Sequence, residues 1–418
     1  MGTGQHEVEI TREESDALIA RAVELAKAFD RVGASADADN RFPTELVPLY
    51  KESGLVDLAV PKRYGGKGGD IWTVTRVSME LAKGDPACAL AFNMHQTMVG
   101  IFRGLLDEPT KERVFRGVVE DRDIVCGPFS EDRAGLMGLA DTIAIPDGDG
   151  WIIRGQKTWA TLCLGADVVA FNATITGADG SLPAAFADHA AAEAVFVIRK
   201  DLPGVSIKET WDTMGMRATG THTLVFDDVR IGPETHGGDF RGGLFAEFEW
   251  ASLTFSGVYI GLAYKAYEYT RDKLRTKSLG ATQAGQDVAL RDIGFNQSNL
   301  GRTLVDIETA YRALETTARI LEEGRDAAWD PAARLAYIDV TKVATTEAAI
   351  RATDAGLRLI GGSAFRRGQP LERLYRDARA GPFHPLTTEQ AYDLIGRAEL
   401  GLLDGARGTP VDEQAVPA

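Results

Sequence analysis

Apolar residues recur at Leu18, Ala22, Leu25, Ala26 and Phe29, just after a Thr11-x-x-Glu14 pair. Spacings of three and four residues place them on one helix face, and Thr followed three residues later by Glu is a capping box that opens a helix. The same period predicts further helices over roughly 43–54, 72–84, 86–104 and 109–120. Asp147-Gly148-Asp149-Gly150 before Trp151-Ile152-Ile153 then signals a hairpin. Val168 to Ile175, Ala194 to Arg199 and His222 to Val229 are rich in β-branched and aromatic residues and read as strands, with a surface loop over 177–193. Helical periodicity returns in long segments over 243–276, 285–325, 331–361 and 387–403, lengths that suit a bundle or an oligomer interface. No internal repeat or low-complexity tract interrupts this order.

The pattern predicts a multidomain α+β protein: an N-terminal helical domain (1–124), a middle β-barrel-like domain (125–235) and a C-terminal four-helix bundle (236–418). Composition narrows the partners. The chain has 418 residues, a 44% apolar share and a formal net charge of -15, with a pI near 5.0. Nucleic acid is excluded as a partner, because phosphate binding needs a basic surface. No apolar run approaches the ~20 residues that span a bilayer. The polar start, Met1 to Ile10, does not read as a signal peptide. The three cysteines, Cys88, Cys126 and Cys163, form no CxxC or Cys/His cluster. That reads as a reducing compartment, taken to be cytoplasmic, with no metal site.

Five segments, in order, carry a resemblance: Val60-Pro61-Lys62-Arg63-Tyr64-Gly65-Gly66; Gly155-Gln156-Lys157-Thr158-Trp159-Ala160-Thr161 with Ala166-Asp167; Met214-Gly215-Met216-Arg217; Val225-Phe226-Asp227-Asp228-Val229; and Ile360-Gly361-Gly362 with Leu374-Tyr375-Arg376-Asp377-Ala378-Arg379. Together they resemble the acyl-CoA dehydrogenase superfamily along almost the whole chain. The resemblance implies that fold and a flavin, FAD or FMN, between the β-domain and the C-terminal helices. Trp159 would pack on the isoalloxazine ring, and the Thr161 hydroxyl would donate a hydrogen bond near N5, favouring the reduced ring. Ser130, in Ser130-Glu131, matches the start of the flavin and substrate loop. Gly361 and Gly362 would let the backbone approach the cofactor's phosphates, joined by Arg358 and by Lys277 or Arg275. In the family that phosphate site is shared between subunits, which implies a homodimer or homotetramer.

The sequence also departs from the family pattern. A dehydrogenase of this type needs a carboxylate to remove the α-proton of the thioester. One family position for that Glu falls on Pro385 and the other on Ala251; Glu249 lies two residues away, about 200° around a helix. The family's "GSD" element is replaced by Gly135-Leu136-Met137. Two of the chain's six histidines, His384 and His95, stand near the gap. This pattern resembles the flavin-dependent monooxygenases of the same fold, such as the dibenzothiophene and amino-sugar N-oxygenases. The resemblance implies a two-component enzyme that takes reduced flavin from a separate flavin reductase and oxygenates a small-molecule substrate through a flavin C4a-(hydro)peroxide. His384, His95 and Thr161 would be the catalytic residues, with histidine titrating near neutrality to hold or pass the proton. Two other readings stay open: an acyl-CoA or acyl-carrier-protein dehydrogenase with a displaced base, and a non-catalytic flavin-binding subunit.

Overall fold

The structure is a computed structural model; it describes residues 9–132, 139–182, 192–240, 247–281 and 287–403. Gly135-Leu136-Met137 and the start of the expected 243–276 helix lie outside the described residues.

The N-terminal region is helical: α1 Arg12–Asp39, α2 Leu46–Glu52, α3 Ile71–Gly84, α4 Pro86–Leu105 and α5 Glu108–Arg116. The Thr11 hydroxyl accepts from the Glu14 N–H and the Glu14 carboxylate accepts from the Thr11 N–H, so the capping box forms. Leu18, Ala22, Leu25, Ala26 and Phe29 are all buried. Asp85 ends α3 and caps α4, where its carboxylate accepts from the Cys88 N–H and Pro86 takes the first-turn position that needs no donor.

Among the described residues eight strands follow: β1 Val125–Cys126, β2 Ile143–Asp147, β3 Gly150–Ala160, β4 Val168–Ile175, β5 Glu193–Arg199, β6 Val205–Lys208, β7 His222–Ile231 and β8 His236–Asp239. The predicted hairpin is β2–β3, closed by the Asp147–Gly150 pair with Gly148 at φ 66. The sheet runs β6-β7-β3-β2-β4-β5-β8, with β1 parallel to β4. Phe171 stacks on Phe226 at 4.4 Å and on Phe196 at 6.0 Å, forming an aromatic core.

The C-terminal region comprises α6 Glu249–Thr276, a small hairpin of β9 Ser278–Ala281 and β10 Asp287–Ala289, α7 Gly294–Glu322, α8 Pro331–Ile360, α9 Pro370–Ala378 and α10 Thr388–Glu399. The helix expected over 285–325 begins only at Gly294: the Leu290 N–H bonds the Lys277 carbonyl, so the preceding residues form a hairpin instead. α9 was not among the helices read from periodicity. α6 is the central element and packs against α3 as well as α8. A Cβ at Gly257 would lie 2.4 Å from the Thr75 carbonyl oxygen, and one at Gly261 2.3 Å from that of Met79. Only glycine lets α6 come this close to α3.

Candidate flavin and substrate cavity

One face of α4, the β3 end of the sheet and the start of α6 enclose a cavity of about 600 Å³ with the segment after α9. α4 contributes Leu90, Met94, Thr97, Met98 and Ile101, a single face by their spacing. The sheet side supplies Ser130, Trp159, Thr161 and Trp211; the C-terminal side supplies Ala251, Phe255, Arg376, Arg379, His384 and Pro385. Among the described residues no Asp or Glu lines it. Ala251 and Pro385, the two positions where a carboxylate base would stand, are both in the wall. Glu249 points away, bound to the Arg334 guanidinium at 2.9 and 3.1 Å.

Trp159 is 58% exposed and turned into the cavity, with its ring edge to face against Trp211 at 5.4 Å. Its φ is 57, in the left-handed region that bulky residues avoid. Leu162 (φ 72) and Met216 (φ 54), close by, share that conformation. Each such residue costs of order 1 kcal/mol, and clustering of this kind marks places where geometry is held for a ligand. The cause is local: the β3–β7 register shifts between Lys157 and Ala160, and the Thr161 N–H turns back to the Trp159 carbonyl at 2.8 Å.

Ser130 is positioned from behind. The Lys157 ammonium is fully buried and donates to Glu131 at 2.6 Å and to the Asn172 side-chain oxygen at 2.8 Å; the Asn172 amide donates to Glu193 at 2.5 Å. Glu131 also accepts the N–H groups of Asp141 and Thr142. Lys157 and these backbone donors hold its carboxyl below the usual carboxylate range against the opposing effect of burial. The Ser130 carbonyl accepts from the Thr158 N–H at 3.0 Å, joining the loop to β3.

The Thr161 hydroxyl sits 2.9 Å from that of Thr221, which sits 2.6 Å from that of Thr219, which donates to the Met216 carbonyl at 2.9 Å. A carbonyl only accepts, so the protons all run toward Met216. Thr161 spends its proton on Thr221 and presents lone pairs to the cavity. The donor role expected from the sequence is therefore reversed: Thr161 can accept from an N–H, such as the one reduced flavin carries at N5.

His384 lines the cavity with its ring stacked on Phe255 at 4.6 Å. Burial, reinforced by the nearby Lys342 ammonium, pushes its pKa down to about 3, so the imidazole is neutral at physiological pH rather than poised near neutrality. The buried Tyr259 hydroxyl lies 2.8 Å from Nε2 and needs an acceptor there, which leaves the ring proton on Nδ1. Lys342 donates to the His384 and Leu386 carbonyls and fixes the segment.

His95 is not brought to the cavity. It is fully buried, takes the Val125 N–H on Nδ1 at 2.9 Å and bonds the Val56 carbonyl through Nε2 at 2.8 Å. Both ring nitrogens are committed to backbone, and burial lowers its pKa to about 4. Its place is structural, pinning α4 to β1.

Lys277, Arg275, Arg358, Gly361 and Gly362 also lie off the cavity wall. Lys277 reaches the glycine pair's loop, donating to Ser363 at 2.7 Å and to the Ile360 carbonyl at 3.4 Å. Arg358 is exposed and tied to Asp354 at 2.6 Å, and Arg275 is exposed. Among the described residues nothing stands within 4 Å of a Cβ built on Gly361 or Gly362, so the glycine pair faces open space. Sequence reasoning did not single out Thr219, Thr221, Tyr259, Lys342 or the Lys157–Glu131 pair in these supporting roles. Of these, only Lys157 and Glu131 sat inside quoted motifs.

Family models for the acyl-CoA dehydrogenase N-terminal, middle and C-terminal domains match residues 12–120, 129–229 and 253–389. L-evernosamine nitrososynthase of a Micromonospora species is 29% identical, covering 90% of this chain and 89% of that protein. The mitochondrial short-chain specific acyl-CoA dehydrogenase of Bos taurus is 28% identical, covering 86% and 83%. Among solved structures, FMN-bound TdsC, a dibenzothiophene monooxygenase from Paenibacillus sp. A11-2, superposes with a TM-score of 0.81 at 22% identity, covering 92% of this chain and 97% of that one; at that identity the likeness is one of fold. The protein is a flavin-dependent oxidoreductase. It belongs to the acyl-CoA dehydrogenase superfamily. The cavity fits the group: an exposed indole on strained backbone, flanked by the Ser130 and Thr161 hydroxyls between apolar walls.

Proposed function

We propose that this protein is a monooxygenase that receives reduced flavin, FMN or FAD, from a separate reductase and oxygenates a small molecule. The observation that carries this reading is the absence, among the described residues, of any carboxylate in the cavity wall, with Ala251 and Pro385 where a dehydrogenase would hold its base. Proton abstraction next to a thioester needs such a group within hydrogen-bond reach. Reduced flavin would supply two electrons to dioxygen, one oxygen atom passing to the substrate and the other leaving as water. The chain's own residues shape the outcome. Thr161 would accept a hydrogen bond from the reduced ring, and the neutral His384 would offer Nδ1–H as a fixed donor to developing charge. The apolar wall of Met94, Met98, Ile101 and Phe255 keeps water from the reacting face. FMN is the flavin in the TdsC structure. The Lys277 cluster, off the cavity and with its glycine pair facing open space, suits a second subunit's cofactor and so a homodimer or homotetramer. No helix among the described residues is long and apolar enough to cross a membrane, and the three cysteines are buried and unpaired, which fits the cytoplasm.

The test uses protein loaded with reduced flavin and mixed with air. The wild type should release hydrogen peroxide slowly and His384→Ala about tenfold faster, with flavin affinity unchanged. Anaerobic butyryl-CoA should leave the oxidised, flavin-loaded protein yellow. Bleaching by butyryl-CoA would return the protein to dehydrogenation, which its likeness to the short-chain dehydrogenase favours; equal peroxide release by both proteins would remove His384 from the role.

A further inference from the structure

Among the described residues two arginines line the cavity, and they differ in one respect. Arg376 is neutralised: its guanidinium bonds Asp37 at 2.6 and 2.8 Å and Glu372 at 2.6 and 3.2 Å, and donates to the Met214 carbonyl at 2.9 Å. Arg379, one turn on, has no carboxylate within 4.0 Å among the described residues. Its guanidinium lies over the Tyr375 ring at 4.6 Å and donates one N–H to the Tyr375 hydroxyl at 2.6 Å. An Arg side chain carries five N–H donors, so most of its fork is uncommitted. The other polar groups in the wall do not balance it: they are hydroxyls, the neutral His384 and the already paired Arg376. The described wall is therefore apolar with one uncompensated positive charge.

Arg379 is half-buried beside apolar groups with donors to spare, and a planar guanidinium matches carboxylate and phosphate oxygens two at a time. We infer that Arg379 is the anion anchor of this cavity, taking the carboxylate or phosphate of a ligand whose reacting part lies toward His384. The same wall speaks against a substrate held as an ammonium ion, since none of its described residues is acidic. The inference rests on the cavity being the flavin and substrate site. Two ligands could bring the oxyanion: a substrate with an acid group, or FMN through its phosphate, in which case the Lys277 cluster is not the phosphate site.

Arg379 also ends α9, where a cation offsets the negative end of the helix. That role alone would make it structural, so the test separates stability from selectivity. Calorimetric titration of flavin-free wild type, Arg379→Gln and Arg379→Lys with indole and indole-3-carboxylate forms one arm; riboflavin and FMN form the other. Wild type should bind at least one charged member roughly tenfold tighter than its neutral counterpart. Arg379→Gln should erase that preference, and Arg379→Lys should keep part of it. Loss of the carboxylate preference assigns the anchor to the substrate, and loss of the FMN preference assigns it to the cofactor phosphate. The inference is overturned if Arg379→Gln lowers the melting temperature yet leaves both preferences intact, or if wild type shows neither. Failure of riboflavin and FMN alike to bind wild type would refute the flavin reading instead, and the indole arm would still decide the role of Arg379.

Discussion

Replacing Lys157 by Met removes the cation from a pair whose side chains are 0% and 4% exposed. Glu131 keeps its two backbone donors but loses its only cationic partner among the described residues, and the Asn172 oxygen loses a donor. Removing one member of a buried pair costs about 3–5 kcal/mol, because the other charge stays dehydrated. With an unfolding entropy of ~2 cal/mol/K per residue, a chain of this length that melts as one unit should lose about 3–6 °C. Differential scanning calorimetry reads that shift. Flavin affinity should fall as well, since Glu131 anchors the loop that carries Ser130. Adding Glu131→Gln to Lys157→Met should restore part of the stability by removing the orphaned charge, giving a coupling energy above about 1 kcal/mol in the double-mutant cycle. An unchanged melting temperature in Lys157→Met would refute this account, as would a double mutant whose losses simply add.

Thr221→Val breaks the hydroxyl relay at its middle, freeing the Thr161 proton to point into the cavity and repel the N–H of reduced flavin. The midpoint potential of the bound flavin should fall by about 20 mV, the equivalent of ~1 kcal/mol for two electrons, and an equilibrium redox titration giving the wild-type potential would rule the relay out. Acid should expose His95. Its folded pKa, about 4, lies below the ordinary histidine value of 6.5, so the unfolded chain takes up a proton that the folded one refuses, and stability falls as pH drops through that window. Between pH 7 and 5 the wild type should therefore lose about 2 kcal/mol more than His95→Gln in urea unfolding, and parallel losses would show that this imidazole does not govern the acid limb.

The helical and strand periods of the sequence were sufficient for the helix–strand–helix order and the long elements, because burial of one face repeats at intervals that the backbone geometry sets; the short strands β1, β6 and β8, the β9–β10 hairpin and α9 were not legible in it. The quoted motifs also led to Ser130, Trp159, Thr161 and His384, which the structure gathers in one cavity. His95 shows where one-dimensional reading failed. It follows Met94 by one residue, about 100° around α4, so when Leu90, Met94 and Met98 face the cavity it turns toward Val56 and Val125. That phase was legible, but which face of α4 met the cavity was not. Donor direction at Thr161, the neutrality of His384 and the uncompensated charge of Arg379 depend on what lies across from each group: Met216, Tyr259 with Lys342, and the lack of a described carboxylate partner. The partners of His384 lie 42 and 125 residues away in the chain. The amino-acid order alone determined which side chains were available and which face of each element they share. Only folding decided which polar groups became neighbours, and proton placement and charge follow from neighbours, because hydrogen bonding and desolvation act over a few ångströms of space whatever the separation along the chain.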